Sequence, residues 1–188
     1  MSPRTVIAIN PDAEQRFNRL FDQHHADVYR YCLRRLDSND AEDTAAEVFA
    51  IAWRRFDQLP DTDLVRAWLL AAAYRVVGNH YRGRARRRRL SARLSGLPSE
   101  YPEAADVPVI RREEEDAVRR ALDSLRATDR ELLRLVSWDG LSHREIGVVL
   151  GLKEDTVSKR VSRAQSRLRE KFEVLYPGSP DLRRLQHE

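Results

Sequence analysis

The sequence predicts an all-α protein of two small helical domains joined by a flexible linker. Three observations predict it. Apolar residues recur at three- and four-residue intervals through residues 14–90 and again through 113–175, as in helices that bury one face. Only 7 glycines occur in 188 residues and no long alternating apolar run is present, which argues against strands. Between the two stretches, residues 91–112 lose the period and carry Gly96, Pro98, Pro102 and Pro108, as a linker does. A composition of 41% hydrophobic and 34% charged residues suits small domains with wide solvated faces better than one large core.

An amino-terminal tail, residues 1–13, leads in, with Asn10 and Pro11 marking a helix start as cap and first helical residue. Phe17, Leu20, Phe21, His24, Val28, Tyr31 and Cys32 then repeat at helical spacing, which predicts a helix to about Leu36. Cys32 lies on that apolar face and reads as a buried structural thiol; one cysteine excludes an intrachain disulfide. Asn39 and Glu42 have capping-box spacing and predict a second helix over 40–56 that buries Ala41, Ala45, Val48, Phe49, Ala52 and Phe56. Asp43 and Glu47 stand four apart on its other side. Taken alone, that pair reads as a solvated acidic face. A polar loop with Pro60 precedes a third helix over 64–81, with Trp68, Leu69, Ala72, Ala73, Val76 and Val77 as its apolar set. Its far end mixes Arg75, Asn79, His80, Tyr81 and Arg82 with the run Arg86–Arg89. Rings that stack and guanidinium groups that meet phosphates suit a nucleic-acid surface.

After the linker, helical spacing predicts a helix over 111–125 with Val118, Ala121, Leu122 and Leu125 inward. Thr128 with Glu131 has capping-box spacing and predicts a helix over 129–138. Ser142 with Glu145 is a third such pair, followed by Ile146, Val149 and Leu150 on one face and by Gly151, which supplies a left-handed helix end. A last helix carries Glu154 and Asp155 in its first turn, where the dipole favours acids, and a stripe of Val157, Val161, Ala164, Leu168 and Phe172. Ser158, Lys159, Arg160, Ser162 and Arg163 fall off that stripe. A short helix, a glycine turn and a basic second helix over 142–163 make a helix-turn-helix, whose second helix fits the major groove. Residues 176–188 read as a carboxy-terminal tail.

Chemistry of other kinds finds no footing. No glycine-rich phosphate loop, zinc-spaced Cys/His set or nucleophile constellation occurs. No cofactor, metal, catalytic residue or small-molecule substrate is therefore expected, nor an enzyme. The start of the chain lacks a basic segment followed by an apolar core, and no apolar run is long enough for membrane insertion; the expected location is cytoplasmic.

Three segments together resemble the extracytoplasmic-function (ECF) group of bacterial RNA polymerase sigma factors. D-A-E-D-T-A-A-E-V-F (40–49) is similar to the core-binding helix of sigma domain two, A-W-L-L-A-A-A-Y-R-V-V-G-N-H-Y-R (67–82) to the promoter-melting helix, and L-S-H-R-E-I-G-V-V-L-G-L-K-E-D-T-V-S-K-R-V-S-R-A (141–164) to the domain-four motif. The resemblance spans nearly all of 14–173. It implies core RNA polymerase and promoter DNA as partners, and an anti-sigma factor as regulator. It implies that Asp43, Ala46, Glu47 and Phe49 meet the polymerase. The loop 59–66 would capture a flipped base, and Trp68, Arg75, Asn79 and Arg82 would lie along the melted minus-ten strand. Thr156, Ser158, Lys159, Arg160, Ser162 and Arg163 would meet the minus-thirty-five element. Four positions depart from the family pattern: Ala46 replaces a usual glutamine, Arg75 an asparagine, Asn79 an aspartate and Lys153 a small polar cap. Two rival readings of the residues are a stand-alone helix-turn-helix regulator and an interaction protein that never touches DNA.

Overall fold

A computed structural model describes residues 11–60, 63–95 and 113–175. The described residues form seven α-helices: α1 (Pro11–Leu33), α2 (Ser38–Arg54), α3 (Val65–Ser95), α4 (Glu113–Ser124), α5 (Ala127–Ser137), α6 (His143–Leu150) and α7 (Glu154–Leu175). They fall into two compact units, one within residues 1–105 and one within 106–188. The expected cap Asn10, the linker past Ser95 and the tail 176–188 lie outside the described residues.

In the amino-terminal unit α1, α2 and α3 pack on one another. Val28, Tyr31 and Cys32 of α1, Ala41, Ala45, Val48, Phe49 and Ala52 of α2, and Leu69, Leu70, Ala73, Val76 and Val77 of α3 are buried. Each large aliphatic or aromatic side chain so buried contributes about 1.5–3 kcal/mol, while the alanines let the helices approach closely. Burial pushes the Cys32 thiol up to about 11, so it stays protonated, as a structural thiol does.

The ends of these helices correct the sequence expectations. α1 stops at Leu33, not Leu36: past it the Arg35 amide makes a tighter three-residue bond to the Cys32 carbonyl at 2.9 Å, which it shares with the Leu36 amide at 2.9 Å. α2 begins at Ser38 under a different cap. Asp37, in extended conformation, accepts from the Asp40 amide at 3.0 Å, so Asn39 sits inside the first turn. That amide hydrogen bond leads the influences that lower the Asp37 pKa. α2 also ends two residues early, at Arg54, and Phe56–Gln58 forms a single 3₁₀ turn. α3 shows the largest departure. It continues past Tyr81 to Ser95, taking in the arginine run and the first residues of the expected linker. Arginine is a good helix former, and no proline occurs between Val65 and Ser95.

In the carboxy-terminal unit α7 packs against α4, α5 and α6. Ala117, Ala121 and Phe172 form one buried cluster and Leu125, Leu133 and Ala164 another, both touched by Leu168. Val118, expected inward, is exposed, and Ala117 takes its place. The Thr128 capping box does not form. α5 starts at Ala127 with Arg126 at its cap position and no side-chain cap, because the Arg126 carbonyl receives the Asp129 and Arg130 amides at 3.0 Å each.

The helix-turn-helix forms as expected. Glu145 Oε2 accepts from the Ser142 amide at 2.8 Å, and Ser142 Oγ accepts from the Glu145 amide at 3.3 Å. Gly151 adopts φ 67° and ψ 38°, the left-handed conformation that suits glycine. The Leu152 amide then donates to the Gly147 carbonyl at 2.9 Å. Gly147 is needed for space rather than for its torsions: a Cβ there would stand 2.7 Å from the Leu152 carbonyl oxygen. Replacing Gly147 with valine should push the turn away from α6 and cost about 1–3 kcal/mol, as overpacking does. Urea unfolding should show the loss, and hydrogen exchange should place it in α6 and α7. An unshifted midpoint would show that the turn relaxes without cost.

Candidate nucleic-acid and partner interfaces

The first surface is the outer side of α7. Val157, Val161 and Ala164 are buried, so the residues on the opposite side of the cylinder must face outward. Ser158, Lys159, Arg160, Ser162 and Arg163 are all exposed, and Thr156 is half-buried. At about 100° per residue, Lys159 points most directly away from the buried stripe, with Ser162 and Arg163 on either side of it, while Arg160 lies near the stripe's edge. Lys153 is exposed, and its carbonyl receives the Thr156 and Val157 amides at 2.9 and 3.0 Å; the helix start rests on backbone alone. Arg167, one turn further on, is committed elsewhere: its Nη1 donates to Asp129 Oδ2 at 2.5 Å. That pair joins α7 to α5 and fixes the roll of the basic face.

The second surface runs along α3. Trp68 is half-buried, and Arg75, Asn79 and Arg82 are exposed. Offsets of 7, 11 and 14 residues from Trp68 put the four side chains in one band about 60° wide. Arg82 Nη2 donates to Asn79 Oδ1 at 2.6 Å, which orients both groups. The third surface is on α2, where Asp43, Ala46 and Glu47 are exposed together. Phe49 does not join them. It is only 4% exposed, with the rings of Phe17, Phe21 and His25 around it, and serves the core rather than the surface. Its place in the expected contact set therefore rests on the resemblance alone.

A fourth feature gave little sign in the sequence. A cleft of about 690 Å³ opens beside the loop that precedes α3. Leu59, Pro60, Asp63 and Arg66 supply one wall, and Arg16, Arg19, Gln23 and His24 of α1 the other. Arg66 Nε donates to Asp27 Oδ2 at 2.7 Å, and Arg30 also donates to Asp27. The α1 residues recur at helical spacing, but only the packing of α1 against α3 brings them to the loop.

Family models identify the two units. The model for sigma-70 region 2 matches residues 20–87 and that for sigma-70 region 4 matches residues 115–168. The ECF RNA polymerase sigma factor SigL of Mycobacterium tuberculosis is 32% identical over 155 residues, covering 80% of this chain and 85% of SigL. The chain belongs to the ECF family of RNA polymerase sigma factors. Two solved structures share its fold. CnrH, in complex with the cytosolic domain of CnrY, matches with TM-score 0.58 and 22% identity over 86% of this chain and 90% of that one. The Bartonella quintana sigma factor RpoE, in complex with the anti-sigma factor NepR, matches with TM-score 0.54 and 23% identity over 88% and 99%. As an ECF sigma factor the chain is a regulatory subunit, not an enzyme: it binds core RNA polymerase and directs it to promoters. Among the described residues, no helix is long and apolar enough to cross a membrane.

The cleft carries a pH signature. Burial lowers the pKa of His24; Asp27 opposes this and Arg66 adds to it. Burial alone would raise the Asp27 pKa, but hydrogen bonds and charge from Arg66 and Arg30 hold it below the ordinary value. Both groups therefore bind protons more weakly in the folded sigma factor than in the unfolded chain. Stability from neutral His24 is complete above about pH 6.5 and is lost as pH falls through its folded pKa; Asp27 repeats this near its lower value. His24→Gln should flatten the stability profile between about pH 7 and pH 5, and Asp27→Asn should lower stability at neutral pH by ~1 kcal/mol, as for a partly exposed pair. Urea denaturation across that range checks both; parallel profiles for His24→Gln and wild type would remove His24 from the acid response.

Proposed function

We propose that the three surfaces divide initiation among them. The exposed Asp43, Ala46 and Glu47 face of α2 docks on a basic surface of core polymerase. The α3 band of Trp68, Arg75, Asn79 and Arg82 follows the melted minus-ten strand, and the cleft beside residues 59–66 receives a flipped base. The outer face of α7 reads the minus-thirty-five element in the major groove. Arg163 takes the O6 and N7 of a guanine, with Lys159 beside it, and Ser158 and Ser162 line the same approach. Arg160 and Thr156 hold phosphates. The observation that carries this reading is the exposed polar and basic side of α7, opposite its buried stripe, within a formed helix-turn-helix. Residues 14–90 act as the region-two module and 113–175 as the region-four module. The complex of RpoE with NepR supports an anti-sigma factor as the regulator of this chain as well, and the binding of CnrH to a cytosolic domain supports the cytoplasm as its place of action.

Two measurements test the division. Arg163→Ala should cost about 1–3 kcal/mol and relax preference at one base pair. Arg160→Ala should weaken binding to all sequences alike and flatten the salt slope by about one unit. Binding over single-base variants of the minus-thirty-five element at several salt concentrations separates these outcomes; uniform loss with Arg163→Ala moves base reading to Lys159. Glu47→Arg sets like charge against the proposed basic surface and should weaken holoenzyme assembly by at least ~1 kcal/mol while leaving α7 able to bind duplex. Undiminished co-purification with core polymerase would sink the α2 assignment.

A further inference from the structure

The arginine-rich end of α3 remains outside every role given so far. α3 is held to the rest of its unit as far as its sixth turn. Tyr81 donates to the Arg35 carbonyl, His80 Nε2 stands 3.1 Å from Asp40, and Arg84 lies 3.8 Å from Asp37 and 3.6 Å from Asp40. Beyond Arg84 the helix runs on to Ser95. Arg86, Arg87, Arg89 and Leu90 are exposed, and no acid among the described residues pairs with the three arginines. Like charges three and four residues apart weaken a helix. Residues 82–95 hold seven arginines and no acid. Such a rod keeps its charge for a polyanion.

The same helix indicates which one. Arg86 and Arg89 lie 18 and 21 residues from Trp68, so they extend the band of Trp68, Arg75, Asn79 and Arg82 to a width of about 80°. From Arg82 to Arg89 is about 10 Å along the helix, the axial rise of about three base pairs. A protein partner fits less well, because interface centres are depleted in charge and rich in aromatic groups, and Leu90 is the one large apolar side chain exposed among the described residues past Tyr81 on this helix. The base-holding cleft lies at the amino-terminal end of α3, inside the melted segment. Paired DNA therefore begins at the other end of the band.

We propose that Arg86 and Arg89 grip backbone phosphates of the paired DNA that borders the melted minus-ten segment on its upstream side. The grip is independent of sequence, and it rests on the reading of α3 as the strand-tracking helix.

Holoenzyme carrying Arg86→Ala with Arg89→Ala should be compared with wild type on two fork templates. One keeps a paired arm upstream of the minus-ten element, and the other is cut at its edge. On the first, the double variant should bind at least about fivefold more weakly, and the slope of log affinity against log salt should fall by nearly two units, at about 0.9 per phosphate. The loss should be the same for arms of different sequence. On the cut template, binding should be unchanged. Arg86→Lys with Arg89→Lys should restore most of the slope. Equal loss on both templates would overturn the proposal by placing the arginines on the melted strand, and so would weaker assembly with core polymerase. Asn79→Ala with Arg82→Ala tests the underlying reading separately: if it leaves cut-template binding intact, strand tracking by α3 fails, whatever the upstream arm shows.

Discussion

Tyr81 of α3 donates its hydroxyl to the carbonyl of Arg35, at the corner between α1 and α2. Arg35 is itself buried: its guanidinium lies 3.6 Å from the Tyr31 ring centroid and donates to the Tyr31 carbonyl at 3.0 Å. A cation on an aromatic face and two satisfied carbonyls make this corner favourable where a bare arginine would be costly. Around it, His80 and Arg84 reach Asp40, so the cap region of α2 and the middle of α3 meet at one place. The ion pairs are partly exposed and individually worth little; what they fix is orientation. With α3 tied to the corner, the rotation of both helices is set, and with it which sides of α2 and α3 remain outward.

What remains outward is decided by how little each helix buries. α2 turns Ala41, Thr44, Ala45, Val48, Phe49 and Ala52 inward, a stripe rich in small residues, and leaves Asp43, Ala46 and Glu47 to the surface. α7 buries Val157, Val161, Ala164 and Phe172 and leaves its basic side free. Narrow stripes suit a protein whose helices each serve a different partner. They also make the positioning contacts few. The Arg167–Asp129 pair and the close approach of Gly147 to Leu152 therefore matter more to α7 than their number suggests.

Periodicity made the helices and their buried sides legible, since the residues at three- and four-residue spacing in α2, α3 and α7 are largely the buried ones. The Ser142–Glu145 box and Gly151 were legible because local hydrogen bonds alone decide them. Caps were less so. Asp37 and Asn39 both carry a side chain able to cap, and the choice fell to Asp37 through the path of the chain out of α1. Thr128 lost its capping role to the Arg126 backbone. The extent of α3 was hidden because a charge run reads as a domain edge, whereas arginine's helix propensity carries the helix through it. The wall of α1 beside the loop before α3 was hidden for another reason: Arg16, Arg19, Gln23 and His24 look like an ordinary polar face until α3 packs alongside.

Charge distribution gives the extended α3 its meaning. The whole chain has 34 basic and 30 acidic residues and a net charge of +4. The seven arginines from Arg82 to Arg93 exceed that total, so the remainder is net acidic by three. A polyanion approaching such a molecule meets weak repulsion over most of it and strong attraction at α3 and the outer side of α7. Fields of this kind act over about a Debye length, 8–10 Å near physiological salt, and raise the rate of oriented encounter more than the final affinity. Acids elsewhere suppress unproductive contacts, and those on α2 are free to meet a basic surface. The ordinary net charge of the chain therefore conceals two faces of opposite sign on one small helical unit: acidic Asp43 and Glu47 on α2 and the arginines of α3. In the division proposed above, their separation by the Arg35–Tyr81 corner is what lets one unit meet a basic protein surface and DNA at once without either neutralising the other.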